Sequence, residues 1–509
     1  MSDLPKTYWV CKSWRELSKD SRVWDAVVKR LNLYADGKTF TIEKVLNQIK
    51  GLRALINGYT KTKPDFIQTI LNKPLIQATE SEIVTLHEYT QLRDSLTVYS
   101  LLSTQYLGEY FIPFFHNIKE MRDFEASEVF PRISSFKTNV TCLSLVDEKL
   151  SSLPETVLQL SSLQILHLSN NKFTSLPETF AQFSALRDLD LSQNQLSFLP
   201  GGFGQLSTLK KLNLSQNKLS ALPETFGQLS SLQVLNLSHN RLSALPGSFG
   251  QLSSLIRLEL ANNQLSSLPN TFGQLSDLQF LYLINNKLSL LPGGFGQLSS
   301  LQVLNLSHNR LSALPGGFGQ LSSLQELNLR KNQLSLLPET FGQLSTLKCL
   351  NLYHNRLGAL PKTFGQLSVL DSLDLGKNLL ELLPNEFGNL STLETVGLEH
   401  NRLRALPETF GNLSTLETVG LEHNRLRALP ETFGNLSALE ILDLGHNELS
   451  TLPSNITLLT NLIRLNLNDN PLWYLPNTIG SVTGLRVQYL SRLFARCYSS
   501  ILPRKRKRA

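Results

Sequence analysis

Residues 232–254 read LQVLNLSHNRLSALPGSFGQLSS, and this frame decides the fold. Its apolar positions are Leu232, Leu235, Leu237, Leu242, Leu245, Phe249 and Leu252, with Asn240 and Pro246 at fixed places between them. Leu235 and Leu237 stand two apart, so both point to one face of a short strand. Leu232 turns the chain into that strand, and Leu242 and Leu245 pack beneath it. Phe249 and Leu252 then close the coil on its outer side. Pro246 fixes φ and resists helix, so the outer segment is expected to be extended or 3₁₀-like. Asn240 sits where the chain bends inward. Its amide both donates and accepts, so it can satisfy backbone groups that the bend leaves unpaired.

The frame recurs along the chain. Asparagines stand at 171, 194, 217, 240, 263, 286, 309, 332, 355, 378, 401, 424, 447 and 470, a period of 23 without a slip. A further unit in front, Val140 to Ser162, has Glu148 in the Asn column. One coil cannot enclose this apolar set alone; stacked coils can. The strands then form a parallel sheet on one side, and fifteen coils at about 4.8 Å give an arc of roughly 70 Å. Residues 389–411 and 412–434 are identical, and 227–247 match 296–316, as recent internal duplication leaves them.

With these columns in place the chain resembles the leucine-rich repeat proteins over residues 140–484. The resemblance implies an α/β repeat solenoid, a leucine-rich-repeat horseshoe with a parallel concave sheet, preceded by a small helical domain. The expected organisation is a truncated F-box-like hairpin (1–31), a helical domain and N-terminal cap (32–137), the solenoid (138–484), a C-terminal cap (485–503) and a basic tail (504–509).

Composition agrees with a packed chain. Of 509 residues, 41% are hydrophobic and only 17% charged, which excludes a disordered protein. Cys11, Cys142, Cys349 and Cys497 lie far apart, so neither a disulfide framework nor a CxxC metal knuckle is expected. No long apolar run opens the sequence and none approaches a membrane span, so neither a secretory signal nor a transmembrane segment is expected. The net charge of +7 belongs to the tail. Eight basic residues and no acid follow residue 485, and removing them leaves −1 for the rest. The body is therefore not expected to bind nucleic acid.

Residues 1–137 have helix-like spacing, as at Ile42, Val45, Leu46, Ile49 and Leu52, broken by Pro64, Pro74 and Pro113. Within them Val10-Cys11-Lys12-Ser13-Trp14-Arg15-Glu16-Leu17, followed by Trp24, resembles the second half of an F-box. The resemblance implies a helical hairpin that packs on a cullin–RING ligase adaptor through Val10, Cys11, Trp14, Leu17 and Trp24. Leu4-Pro5 lies only five residues before Val10, so the opening apolar helix of a full F-box is missing. At the other end Leu485, Gln488 and Leu490 read as a faded repeat in unbroken register. Arg504–Arg508 resembles a nuclear import signal.

Function is sought at strand positions that point away from the core. The column between the two strand leucines is mostly small and polar, as at Asn236, Asn305 and Asn328. Two places depart from it. Phe280, Tyr282 and Ile284 alternate along one strand and face outward as an apolar anchor for a partner. Arg330 and Lys331 are followed one coil later by Tyr353 and His354, residue types that dominate interface energies. His239, His308, His354, His400, His423 and His446 share one column. With Arg241, Arg310, Arg356, Arg402 and Arg425 they read as a pH-sensitive, partly positive rim and not as a metal site.

No GxSxG elbow, P-loop or HExxH helix is present, and the GGFGQL segments recur at repeat spacing as structural punctuation. About 25 residues follow the array, too few for the separate catalytic domain of bacterial leucine-rich ubiquitin ligases. The expectation is a monomeric, non-enzymatic, cofactor-free protein-interaction module that binds a protein on the concave face. The alternative is a substrate-recognition subunit of a cullin–RING ligase. A cytoplasmic placement is expected. The architecture also resembles secreted effectors of bacteria that act inside a host cell.

Overall fold

The computed structural model describes residues 140–473 and the strand Arg486–Gln488. The F-box-like stretch, the helical domain and the basic tail lie outside the described residues. The chain divides into two compact units, Met1–Leu209 and Lys210–Ala509.

In the first unit three strands pair in parallel, β1 (Cys142–Ser144), β2 (Ile165–His167) and β3 (Asp188–Asp190). Leu143, Leu166 and Leu189 are register partners and all are buried. The first outer segment is a four-residue helix, α1 (Glu155–Leu158), and the next two are 3₁₀ turns, Glu178–Gln182 and Gly201–Gln205.

The second unit continues the plan. Its strands are β4 (Lys211–Asn213), β5 (Val234–Asn236), β6 (Arg257–Glu259), β7 (Phe280–Tyr282), β8 (Val303–Asn305), β9 (Glu326–Asn328), β10 (Cys349–Asn351), β11 (Ser372–Asp374), β12 (Thr395–Gly397), β13 (Thr418–Gly420), β14 (Ile441–Asp443), β15 (Arg464–Asn466) and β16 (Arg486–Gln488). Each pairs in parallel with the next, and from β4 to β15 every register partner is 23 residues away.

At the end the register departs from expectation. Arg464 pairs with Arg486 and Leu465 with Val487, an offset of 22. The faded repeat is one residue short, so Gln488 does not fall in the Leu465 column. The pairing sets Val487, and not Gln488, level with Leu465 along the backbone.

Each outer segment in this unit is a five-residue 3₁₀ turn preceded by proline. Pro246, at φ −63° and ψ 154°, leads into Gly247–Gln251. From Phe226 to Phe433 the phenylalanine of each turn is fully buried and stacks on the next, and Ile456 takes its place in the last described turn. Phe249 and Phe272 lie 6.2 Å apart with rings 1° from parallel, and Phe318 and Phe341 repeat this. Parallel strands lie only about 4.8 Å apart. Coils that are closer on the sheet side than on the phenylalanine side must curve, and the sheet is the inner, concave face. The glycine after each phenylalanine permits this stacking: a Cβ at Gly319 would collide with the carbonyl oxygen of Thr340 in the next coil.

The asparagine column works as the sequence implied. Asn240 donates through Nδ2 to the carbonyls of Leu214 (2.9 Å) and Leu237 (3.0 Å), and its Oδ1 accepts from the Leu219 amide (3.0 Å). Each amide thus ties two coils together, and Asn309, Asn355 and Asn401 repeat the pattern.

Candidate functional site

The concave face of the second unit is built from the two outward residues of each strand and the residues just beyond it. Its polar background has a structural cause. Asn236, Asn305 and Asn328 each accept, through Oδ1, the backbone N–H two residues on, at 2.9–3.0 Å. Such side chains replace a backbone partner at the bend that follows the strand. Positions in this column that do not serve the bend, among them Tyr282, Gly397 and Gly420, are free to be chosen for something else.

The histidine column also has a backbone cause. His239, His308, His354, His400, His423 and His446 all have φ between 54° and 59°, as do Asn262 and Asn285 close by at 55–57°. The left-handed region disfavours β-branched residues and tolerates Asn, Asp and His. Histidine is one of several residues that fit there, and the exclusion of Val, Ile and Thr from the column was the available sequence signal.

The first aromatic cluster lies on β7. Phe280 and Tyr282 are half-buried on either side of the fully buried Leu281. Ile284 is half-buried too, but it lies past the end of the three-residue strand. The sequence reading missed Arg257 on the neighbouring strand. Its guanidinium carbon lies 5.8 Å from the centre of the Phe280 ring and 5.0 Å from that of Tyr282. Arg257 is held in turn by Glu259, with Nη2 and Nε each 2.8 Å from Oε1.

Tyr353 forms the second cluster. Arg330 lies over its ring at 4.7 Å and Lys377 at 5.4 Å, one from each neighbouring coil. His354 meets the ring edge-on at 6.2 Å and is itself exposed. The arrangement brings Arg330 and Tyr353 together, as the residue types required, and adds Lys377. Lys331 is half-buried beside them.

Beyond Tyr353 the face turns acidic, a feature the sequence reading did not pick out. On β12 and β13 the column residue is Gly397 and Gly420, and carboxylates lie over the vacated space. A Cβ at Gly397 would come 3.0 Å from Oε2 of Glu399 and 3.3 Å from Oδ1 of Asp374. One at Gly420 would lie 3.5 Å from Oε2 of both Glu399 and Glu422. Burial pushes the carboxyls of Asp374, Glu399 and Glu422 above their ordinary range. Neighbouring acids add to this at Glu399 and Glu422. Oε2 of Glu422 is buried with no hydrogen-bond partner. Glycine in the strand column followed two residues later by glutamate, twice in succession, was the legible sign.

Along the rim beside these acids His400, His423 and His446 stack face to face, with ring centres 4.3 and 4.1 Å apart. Burial and the neighbouring imidazoles hold His400 and His423 below the usual histidine value. His446 pairs with Asp469 at 3.3 Å. Among the described residues no group of three or more His, Cys, Asp and Glu side chains gathers as metal donors. No helix among them is long and apolar enough to cross a membrane.

Comparison with known proteins places this architecture. The family model described as a leucine-rich repeat region matches residues 182–290, 292–381 and 410–501, and a second leucine-rich repeat model matches 138–196. A leucine-rich-repeat protein of Leptospira interrogans is 36% identical with a TM-score of 0.59, over 70% of this chain and 98% of its own. The plant peptide hormone receptor RGFR1, solved in complex with RGF2, is 28% identical with a TM-score of 0.56, over 70% of this chain and 64% of its own. YopM, a leucine-rich effector protein of Yersinia pestis, is 27% identical with a TM-score of 0.51, over 74% and 92%. No curated protein sequence matches the chain. The 23-residue coils, the asparagine ladder and the matching models together make this chain a member of the leucine-rich repeat family.

Proposed function

We propose that the concave face of the second unit binds an extended segment of a partner protein and that the chain catalyses nothing itself. The observation that carries this reading is the pair of aromatic clusters, Phe280–Tyr282 and Tyr353, each fixed by cations from adjacent coils on a floor of buried leucines. Aromatic and arginine side chains held rigid in this way lose little conformational entropy on binding, and they supply most of the energy at protein interfaces. The acidic stretch from Asp374 to Glu422 gives the same face a charge gradient, which steers a partner and selects its orientation. The solved complex of the plant receptor RGFR1 with RGF2 supports a binding role by kinship. The test is affinity capture by the intact chain and by a Phe280→Ala, Tyr282→Ala variant. Loss of the captured protein with an unchanged melting curve is expected, and undiminished capture would remove the β7 cluster from the site.

A second reading makes the chain a substrate receptor that presents its captured partner to a cullin–RING ligase, raising effective concentration. It rests on the spacing from Val10 to Trp24. Adaptor binding by the full chain that is abolished by Trp14→Ala would support it. Absence of adaptor binding would leave the interaction module alone.

A further inference from the structure

A second surface, off the concave face, carries a period of its own. The residue before the second bend is Leu290, Ala313, Leu336, Ala359, Leu382 and Ala405 in six successive coils. The three leucines are 57%, 57% and 61% exposed. A single exposed leucine needs no explanation. A strict alternation of leucine and alanine over six coils gives an apolar ridge with a knob at every second coil.

The flanking arginines keep the same two-coil period, with Lys287 an added cation in the first leucine coil. The residue after the ladder asparagine is Arg310, Arg356 and Arg402 in the alanine coils, and Lys287, Gln333 and Leu379 in the leucine coils. All three arginines are exposed, and none belongs to an ion pair of the described residues. The strip also holds one ion pair, Glu381 with Arg404 at 3.4 Å, which cancels within itself; the three arginines leave the strip net positive, so its complement is acidic.

The spacing says what shape of partner fits. Coils lie about 4.8 Å apart at the sheet and 6.2 Å apart at the phenylalanine rows. The flank between them therefore repeats every two coils at roughly 10–11 Å. Seven residues of α-helix rise about 10.5 Å. Leucine knobs at this spacing match the heptad of a helix laid along the solenoid. The arginines fall one coil further on, half a heptad away.

We propose that this flank docks an acidic amphipathic helix, with an apolar residue every seven positions facing Leu290, Leu336 and Leu382. Acidic residues three or four positions later face Arg310, Arg356 and Arg402. The leucines supply the seam, as the apolar positions do between paired helices, and the arginines fix the register along it. The three knobs span four coils, about 20 Å, or three heptad positions of the helix.

The test uses the full chain and a synthetic helical peptide of about four heptads, with Leu every seventh residue and Glu three and four residues later. Two control peptides have the same length: one carries Lys in place of Glu, the other keeps the composition but spaces Leu every nine residues. Binding is read by fluorescence anisotropy at about 0.15 M salt. The acidic heptad peptide is expected to bind at least about tenfold more tightly than either control. A Leu290→Ser, Leu336→Ser, Leu382→Ser variant, and separately an Arg310→Gln, Arg356→Gln, Arg402→Gln variant, should each lose most of that preference while melting as the parent does. Equal binding of all three peptides, or a leucine variant that binds as the parent does, overturns the proposal. So does sedimentation showing that the intact chain self-associates and the leucine variant does not, since the ridge would then be covered by a second copy.

Discussion

The guanidinium of Arg330 lies 4.7 Å from the centre of the Tyr353 ring, one coil along the sheet. Side chains 23 residues apart become neighbours because every coil returns to the same register, as Glu326 and Cys349 do on β9 and β10. The solenoid turns a sequence period into a surface, and residues that share a column are packed side by side.

That contact has a measurable strength. A double-mutant cycle with Arg330→Ala and Tyr353→Ala should give a coupling energy of about 0.5–1 kcal/mol, the range of exposed cation–π pairs. A coupling near zero would show that the two side chains do not meet in solution, and the rigidity assigned to the second cluster would go with it.

The ladder should be the most sensitive part of the core. Asn309 donates to the carbonyls of Leu283 at 2.9 Å and Leu306 at 3.0 Å and accepts from the Leu288 amide at 3.1 Å. Asn309→Ala strands these buried groups and is expected to cost about 3 kcal/mol. Hydrogen exchange should accelerate at Leu288 and its neighbours, because each coil contacts only the next. Unchanged protection there would mean that the asparagine is dispensable.

Two glycines separate space from conformation. A Cβ at Gly319 would strike the Thr340 carbonyl of the next coil, whereas one at Gly316 meets nothing within 4 Å. Gly319→Ala should destabilise by about 1–3 kcal/mol through overpacking, and Gly316→Ala should be neutral or slightly stabilising. Thermal melts of the two variants decide it; equal effects would contradict the close stacking of the outer turns.

Acid should act on the rim and on the sheet with opposite signs. His400 and His423 have folded values below the ordinary one, so as pH falls from near 6.5 the unfolded chain takes up protons first and stability is lost. Glu399 and Glu422 have folded values above the ordinary one, so toward pH 4.5 the folded chain takes up protons first and stability is regained. Melting temperature should therefore dip below neutrality and partly recover at lower pH. A His400→Asn, His423→Asn variant should lose most of the dip, since asparagine occupies the same left-handed position at 262 and 285, while His308, also held low by burial, retains the remainder. An undiminished dip in this variant would assign it to other groups.

Most of the fold was legible in residues 232–254, because each column does one job in every coil: Leu235 and Leu237 inward, Asn240 on the backbone, Phe249 in the stack. The terminal coil was misread by one residue, because a repeat with only Leu485 and Leu490 to anchor it leaves the offset open and the pairing of Val487 with Leu465 decides it. The candidate site was half legible. Phe280, Tyr282 and Tyr353 stand out by type, but the cations that hold them, Arg257 and Lys377, belong to other coils and were hidden by linear distance. The acidic stretch was overlooked because glycine at 397 and 420 reads as an absence until Glu399 and Glu422 are seen lying across it.

The central claim is that the sheet face, and not the outer turns, grips the partner. The direct measurement is quantitative affinity capture with three versions of the full chain: the parent, a Tyr282→Ala, Tyr353→Ala variant on the concave side, and a Glu339→Lys, Lys362→Glu variant on the outer 3₁₀ turns. Capture should fall at least about tenfold for the concave variant, as loss of two interface anchors requires, and stay at the parent level for the outer one. The reverse pattern, full capture by the concave variant and loss by the outer one, would contradict the account.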